Sequence, residues 1–391
     1  MSAAAVPHGP TRPPFPVSVA AFVSSFDRFA ISPLVVLVAH DLGATLAEAL
    51  TIASAYFLAY GISQPVWGVL SDRLGRVRLM KATLLAAAVA GMVATFAPNL
   101  TILVTARALS GAFYGAIVPT SMTYVGDTVA EAHRQPALTD LMAAIAVGTA
   151  SATALAGVLA HFADWRIVFA IPAVLAIVCA FGLRRLPEPP REEQGGVLAT
   201  IRAAITHRWV LIVITLAFVE GAVVLGVLTL LAPALQSQGI GAAIAGLATA
   251  AYGVGVIITT RMVKALSHRL SMPRLIAIGG TATVIAFGLL TIHLSTLTVI
   301  IAALLLGTTW SFQHSSLQTW ATGVLPQARG TVVSLFAGFL FAGSALGTAI
   351  GGSLGEDNRW TLLFAISGIV ALTLTLVIVF SRRVYDGPQT G

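Results

Sequence analysis

The sequence is poor in charge, in cysteine and in lysine. Asp, Glu, Lys and Arg make up 9% of its 391 residues, against about 25% in soluble domains. With 57% of residues hydrophobic, no water-soluble core could bury so much apolar surface, so the solvent must be lipid. The single cysteine, Cys179, excludes a disulfide framework and any cysteine metal cluster. No nucleophile elbow, P-loop, dinucleotide glycine pattern or metal-ligand grouping occurs. Those absences argue against an enzyme and exclude ATP as an energy source within this chain. No cofactor is expected, and a proton gradient is the expected driving force. The net charge of +7 does not imply nucleic acid, because the cations sit in short loops between apolar runs. Nor does the chain open on a signal peptide: the first apolar run contains Asp27 and Arg28 and lacks a tidy cleavage site.

What is present is a series of twelve apolar runs, each long enough to cross about 30 Å of hydrocarbon. The expected fold class is an all-α polytopic membrane protein with two six-helix bundles. A Pro- and Ala-rich tail over residues 1–15 is expected to be disordered and cytoplasmic. The bundles are expected over 16–183 and 209–383, joined by a cytoplasmic linker over 184–208 and followed by a tail over 384–391. That linker carries Pro187, Pro189, Pro190 and Gly195–Gly196, then a short amphipathic stretch. With both termini inside, only Arg166 and Arg359 fall outside, and Arg28 and Arg107 lie within spans. The rest of the 22 Lys and Arg are cytoplasmic, a steep positive-inside bias. The halves also echo each other. Leu70–Leu74 aligns with Leu266–Leu270, and Gly148, Gly157, Trp165 and Phe169 align with Gly343, Gly352, Trp360 and Phe364.

Between the second and third runs lies Gly68-Val-Leu-Ser-Asp72-Arg73-Leu-Gly75-Arg76-Val-Arg78, a charged island too short for anything but a tight turn. Gly75 permits a sharp backbone path there. Gly68, Asp72, Arg73, Gly75 and Arg76 resemble the signature loop of the major facilitator superfamily, with Val77 replacing its last basic position. Arg107-Ala-Leu-Ser-Gly111-Ala-Phe-Tyr-Gly115 resembles the span-four motif of its proton-coupled members, and Asp127 the acid that pairs with the loop arginines. The resemblance implies that Gly68, Asp72, Arg73, Gly75, Arg76 and Asp127 form a conformational latch, and that Arg107 modulates proton binding. It also implies that spans one, four, seven and ten line a central cavity. The span-five antiporter motif is only partly kept, in Gly148 and Gly157 and without its proline. In the second half His268 replaces the latch acid.

Ionisable residues within spans are costly and usually functional. Here they are Asp27, Arg28, Arg107, Glu220 and His314. Burial disfavours a carboxylate's charged form, so an acid in a span can serve as a proton carrier. Asp27 and Glu220 are the candidates, with Asp27 alternatively a structural partner of Arg28 or Arg107. Glu220, with no cation nearby in its own span, could instead contact a cationic substrate. Arg28, Trp310, Gln313 and His314 are candidate substrate contacts; His314 reads equally as a structural residue. Tyr56, Tyr60, Gln64 and Trp67 recur at roughly helical spacing and read as interfacial packing.

The chain most resembles the twelve-span drug/proton antiporters and metabolite exporters of that superfamily. The implied function is proton-coupled export of drugs or small amphipathic metabolites by alternating access, from a bacterial inner membrane. Alternatives are a proton symporter importing a polar or anionic metabolite, a lipid-like substrate, or a channel or receptor. The expected partners are the bilayer, a small-molecule substrate and protons, with no nucleic acid, and the protein is expected to act as a monomer.

Overall fold

In the computed structural model, residues 10–189, 197–385 and 387 are described. All regular elements among them are helical. Twelve helices are long and apolar enough to cross a membrane. In order they are Phe15–Asp41, Leu46–Leu74, Arg76–Thr95, Leu100–Thr128, His133–Phe162 and Arg166–Arg185. Then follow Arg208–Gln236, Ala242–Leu266, Met272–Ile292, Thr296–Val324, Pro326–Glu356 and Trp360–Val384. They are numbered spans one to twelve below. A short helix, Val197–Thr206, precedes span seven. Residues 1–9, Pro190, Gly195–Gly196 and most of the last six residues lie outside the described set. Phe15, expected in the tail, already begins the first helix, with Pro16 in the first turn, where its missing N–H is harmless.

The turn at Gly75, the turns after spans four, eight and ten, and the helix before span seven gather at one end. This is termed the basic end; the other turns gather at the opposite end. The halves meet along two seams of small residues. Span two packs on span eleven, where a Cβ on Gly61 would stand 2.7 Å from the Gly338 carbonyl. Span five packs on span eight, where Gly157 and Gly246 admit the main chains of Ala242 and Thr153. Without a hydrophobic drive between helices in lipid, such close approach is what holds spans together.

Eight spans run through their middles unbroken. The other four do not. Span one changes to a 3-10 turn at Ser32–Leu34, where Pro33 lacks a donor N–H. Span four is interrupted at Gly115–Ala116, between helices Leu100–Tyr114 and Ile117–Thr128. Span seven widens into a π-helix at Gly221–Gly226, and span ten at Trp310–His314. These are the four spans that carry Asp27, Arg28, Arg107, Glu220 and His314.

Candidate functional site

In the first half, Arg107 lies fully buried (0% exposed) against Asp27 (1% exposed). Its Nη1 donates to Asp27 Oδ1 at 2.7 Å, and its Nη2 to the Asp27 main-chain carbonyl at 2.7 Å. One guanidinium thus clamps both the side chain and the backbone of one residue, just before the break in span one. Tyr56 and Phe169 flank it, 4.6 and 4.7 Å from ring centroid to guanidinium carbon. The glycine spacing explains that cradle. A Cβ on Gly111 would run into the Tyr56 carbonyl, and one on Gly115 would stand 2.9 Å from the Tyr60 carbonyl. The glycines let span two approach span four closely enough to lay Tyr56 over Arg107.

The second half has a counterpart built from different residues. Glu220 (0% exposed) ends the regular helix of span seven, immediately before its π-helix. His314 Nδ1 stands 2.9 Å from its Oε2, and Gln313 Nε2 donates to Oε1 at 3.2 Å. Thr375 of span twelve donates in turn to Gln313 Oε1 at 3.4 Å. Trp310 stacks flat on the His314 ring, with centroids 3.7 Å apart. The wide turn of span ten aims Gln313 and His314 together at one carboxylate; π-helical segments often mark such sites. Glu220, which has no cation near it in its own span, finds its partner on span ten.

Arg28 goes elsewhere. Residues one apart do not face each other on a helix, and Arg28 turns away from Asp27 into a box of rings. Tyr60, Phe341 and Phe29 lie 4.7, 5.1 and 5.4 Å from its guanidinium carbon. Its one hydrogen bond is Nη2 to Ser25 Oγ at 3.3 Å. Among the described residues it has no carboxylate partner.

At the basic end, Arg76 pairs with Asp72, with Asp127 Oδ2 at 3.2 Å and with Ser71 Oγ at 3.1 Å. This ties spans two, three and four. Gly75 takes φ +100°, and Gly68 faces Ser334 of span eleven. Arg73 departs from its expected place in this cluster. It is exposed and forms no ion pair among the described residues, because the helix turns it away from Asp72 toward solvent. The cluster gains a member not anticipated from sequence. Glu188, after span six, accepts the N–H groups of Val77 and Arg78 at 3.0 and 3.1 Å, capping span three. Tyr56 and Tyr60, read as interfacial packing, are instead buried ring partners of the two arginines.

Among the described residues, hydrogen bonds at three places cross between the halves. Ser32 Oγ donates to the Thr229 carbonyl at 2.8 Å, Gln236 Nε2 to the Pro33 carbonyl at 3.1 Å, and the Ala47 N–H to Glu356 Oε2 at 2.8 Å. All lie toward the end opposite the basic loops.

The comparisons with known proteins agree with this architecture. The Major Facilitator Superfamily model matches residues 17–341 and 237–390. A triacylglyceride transporter of Mycolicibacterium smegmatis is 27% identical over 201 residues, 48% of this chain and 36% of that protein. The multidrug efflux pump LfrA of the same species is 31% identical over 155 residues, 39% of this chain and 31% of the pump. The puromycin resistance protein pur8 of Streptomyces alboniger is 29% identical over 155 residues, again 39% of this chain and 31% of the entire relative. The matched stretch thus spans about a third of each curated relative. Among solved structures, the xylose transporter XylE from E. coli superposes with a TM-score of 0.77 at 15% identity, covering 96% of this chain and 97% of XylE. The nucleoside transporter NupG gives 0.76 at 14%, covering 93% and 99%. At that identity they show the fold alone. The family match runs through nearly the whole chain, over twelve spans in two halves, and the protein belongs to the Major Facilitator Superfamily.

Proposed function

We propose that the protein is a proton-coupled secondary transporter of small amphipathic molecules, working as a monomer by alternating access. The observation that carries the reading is the pairing of its two buried acids, each with a basic side chain on the partner cavity span of the same half. The two pairs are chemically unequal. An arginine does not give up its proton in proteins, whereas a histidine exchanges one near neutral pH. Glu220–His314 is therefore the proton carrier, and Asp27–Arg107 the pair that positions spans one and four around it. The positive-inside bias supports placing both termini in the cytoplasm of a bacterial cell, with the basic end inward. On that orientation the three inter-half hydrogen bonds close the outer end, and the Asp72–Arg76–Asp127 cluster stitches the first half without yet engaging the second. We assign it the latch role in the opposite, outward-facing state.

Export is supported by the names of the multidrug efflux and puromycin resistance relatives. Uptake of a small anion together with a proton is the second reading, supported by Arg28, a buried cation with no carboxylate partner among the described residues. The test uses cells lacking their own efflux pumps, carrying wild type, Glu220→Gln or Asp27→Asn. Accumulation of a panel of lipophilic ions is measured with and without a protonophore. Proton coupling requires that wild-type flux be lost with the protonophore and with Glu220→Gln. Undiminished protonophore-sensitive flux in folded Glu220→Gln would remove Glu220 as the carrier.

A further inference from the structure

Five ionisable side chains occupy the membrane interior, and four of them are engaged pairwise. Arg28 is the one left over, and its surroundings are specific. It is 8% exposed, its Nε has no hydrogen-bond partner among the described residues, and its Nη2 reaches only the Ser25 hydroxyl. Three rings face the guanidinium carbon. Rings attract a cation through their faces but accept no in-plane hydrogen bond of the kind a guanidinium fork offers. The box therefore holds the charge in place and leaves its directional donors free. It is also composite. Phe29 comes from span one, Tyr60 from span two and Phe341 from span eleven, so it assembles only where the halves meet. Phe29 also walls a small cavity between the halves, which Ser32, Thr149, Thr153 and Tyr252 line with hydroxyls.

We propose that Arg28 is the head-group site for an amphipathic anion. A carboxylate, sulfonate or phosphate would take the free guanidinium donors, and an apolar body would lie along Tyr60 and Phe341. An amphipathic cation is disfavoured by the same charge, since Arg28 sits where the head would need to go. The proposal rests on the carrier reading above, because it names the substrate class of that central site. It does not depend on the identity of the proton carrier. Such an anion has two sources, a free metabolite or a lipid head group, and they share this chemistry.

The test uses two probes with one apolar body, pyrenebutanesulfonate and pyrenebutyltrimethylammonium, titrated onto full-length protein in phosphatidylcholine nanodiscs. The sulfonate is expected to bind saturably and the ammonium not. Arg28→Gln is expected to weaken sulfonate binding at least tenfold, and Arg28→Lys to weaken it less. Each variant's thermal midpoint separates lost binding from lost folding. Phosphatidylglycerol added to the discs competes with the sulfonate if the site takes a lipid head group and leaves it unchanged if the site takes a free anion. Preferential ammonium binding, or sulfonate binding unmoved by Arg28→Gln in a folded protein, would overturn the proposal. Loss of proton-driven flux in Glu220→Gln with sulfonate binding intact separates this site from the carrier step.

Discussion

At the scale of single residues, the site is governed by what burial does to charge. Arg107 and Asp27 are both removed from solvent and hold each other through two contacts of 2.7 Å, which leave Asp27 Oδ2 and Arg107 Nε without a hydrogen-bond partner among the described residues. Removing one partner of such a pair leaves an uncompensated charge and costs about 3–5 kcal/mol, more than the intact pair contributes against an apolar replacement. Asp27→Ala and Arg107→Ala are therefore each expected to lower the denaturation midpoint of the purified protein sharply. The double variant is expected to lose much less than the sum. Additive losses in that cycle would mean that the pair does not act as a unit. The chemistry-bearing groups here were legible in the sequence because a charge inside an apolar run announces itself. Their partners were legible only in part. Arg107 was a named candidate for Asp27, but Tyr60 and Phe341 around Arg28 are aromatic residues among many, brought together from opposite halves. Glu188 was not singled out in the sequence, since only the folded turn at Gly75 delivers its carboxylate to the start of span three.

At the scale of elements, interrupted middles set spans one, four, seven and ten apart from the other eight. Length and hydropathy made the twelve spans legible, but not the breaks within four of them. The π-helical turns at Gly221–Gly226 and Trp310–His314 left no trace, because one widened turn does not disturb a run that is apolar all round. Helix ends matter at the end opposite the basic loops. Glu356, closing span eleven, accepts the Ala47 N–H at the start of span two, while Thr45 and Glu48 cap each other reciprocally. Loss of a cap costs about 0.5–2 kcal/mol, a roughly two- to thirty-fold shift in a two-state equilibrium. Glu356→Ala is therefore expected to favour opening at that end. The readout is labelling of a Thr249→Cys reporter, which lines the small central cavity, by a membrane-impermeant thiol reagent; Cys179 is buried. Labelling must rise by that factor. An unchanged or lower rate would show that the contact does not hold the gate.

At the scale of the whole molecule, the proposed carrier reading makes Asp27, Arg28, Arg107, Glu220 and His314 link the charge of the substrate to the direction of coupling. With Asp27 and Glu220 ionised, Arg28 and Arg107 charged and His314 neutral, the site carries no net charge. A proton taken up by Glu220–His314 raises it by one, and an anion at Arg28 lowers it by one. Net charge is costly in the membrane interior, so the states that rock most readily are the empty deprotonated one and the protonated one holding an anion. An anionic substrate must then cross together with a proton. A cationic substrate reverses the logic: the loaded deprotonated state and the empty protonated state carry equal charge, and substrate exchanges against proton. The export and uptake readings thus separate on one imposed gradient. In proteoliposomes made acidic outside, pyrenebutanesulfonate is expected to accumulate inside. Glu220→Gln is expected to abolish the effect of the gradient while sulfonate counterflow continues. Net sulfonate movement out of the vesicles under the same gradient would show that another group sets the balance. Accumulation only of the ammonium probe, with acid inside, would return the protein to the exchange of cations for protons.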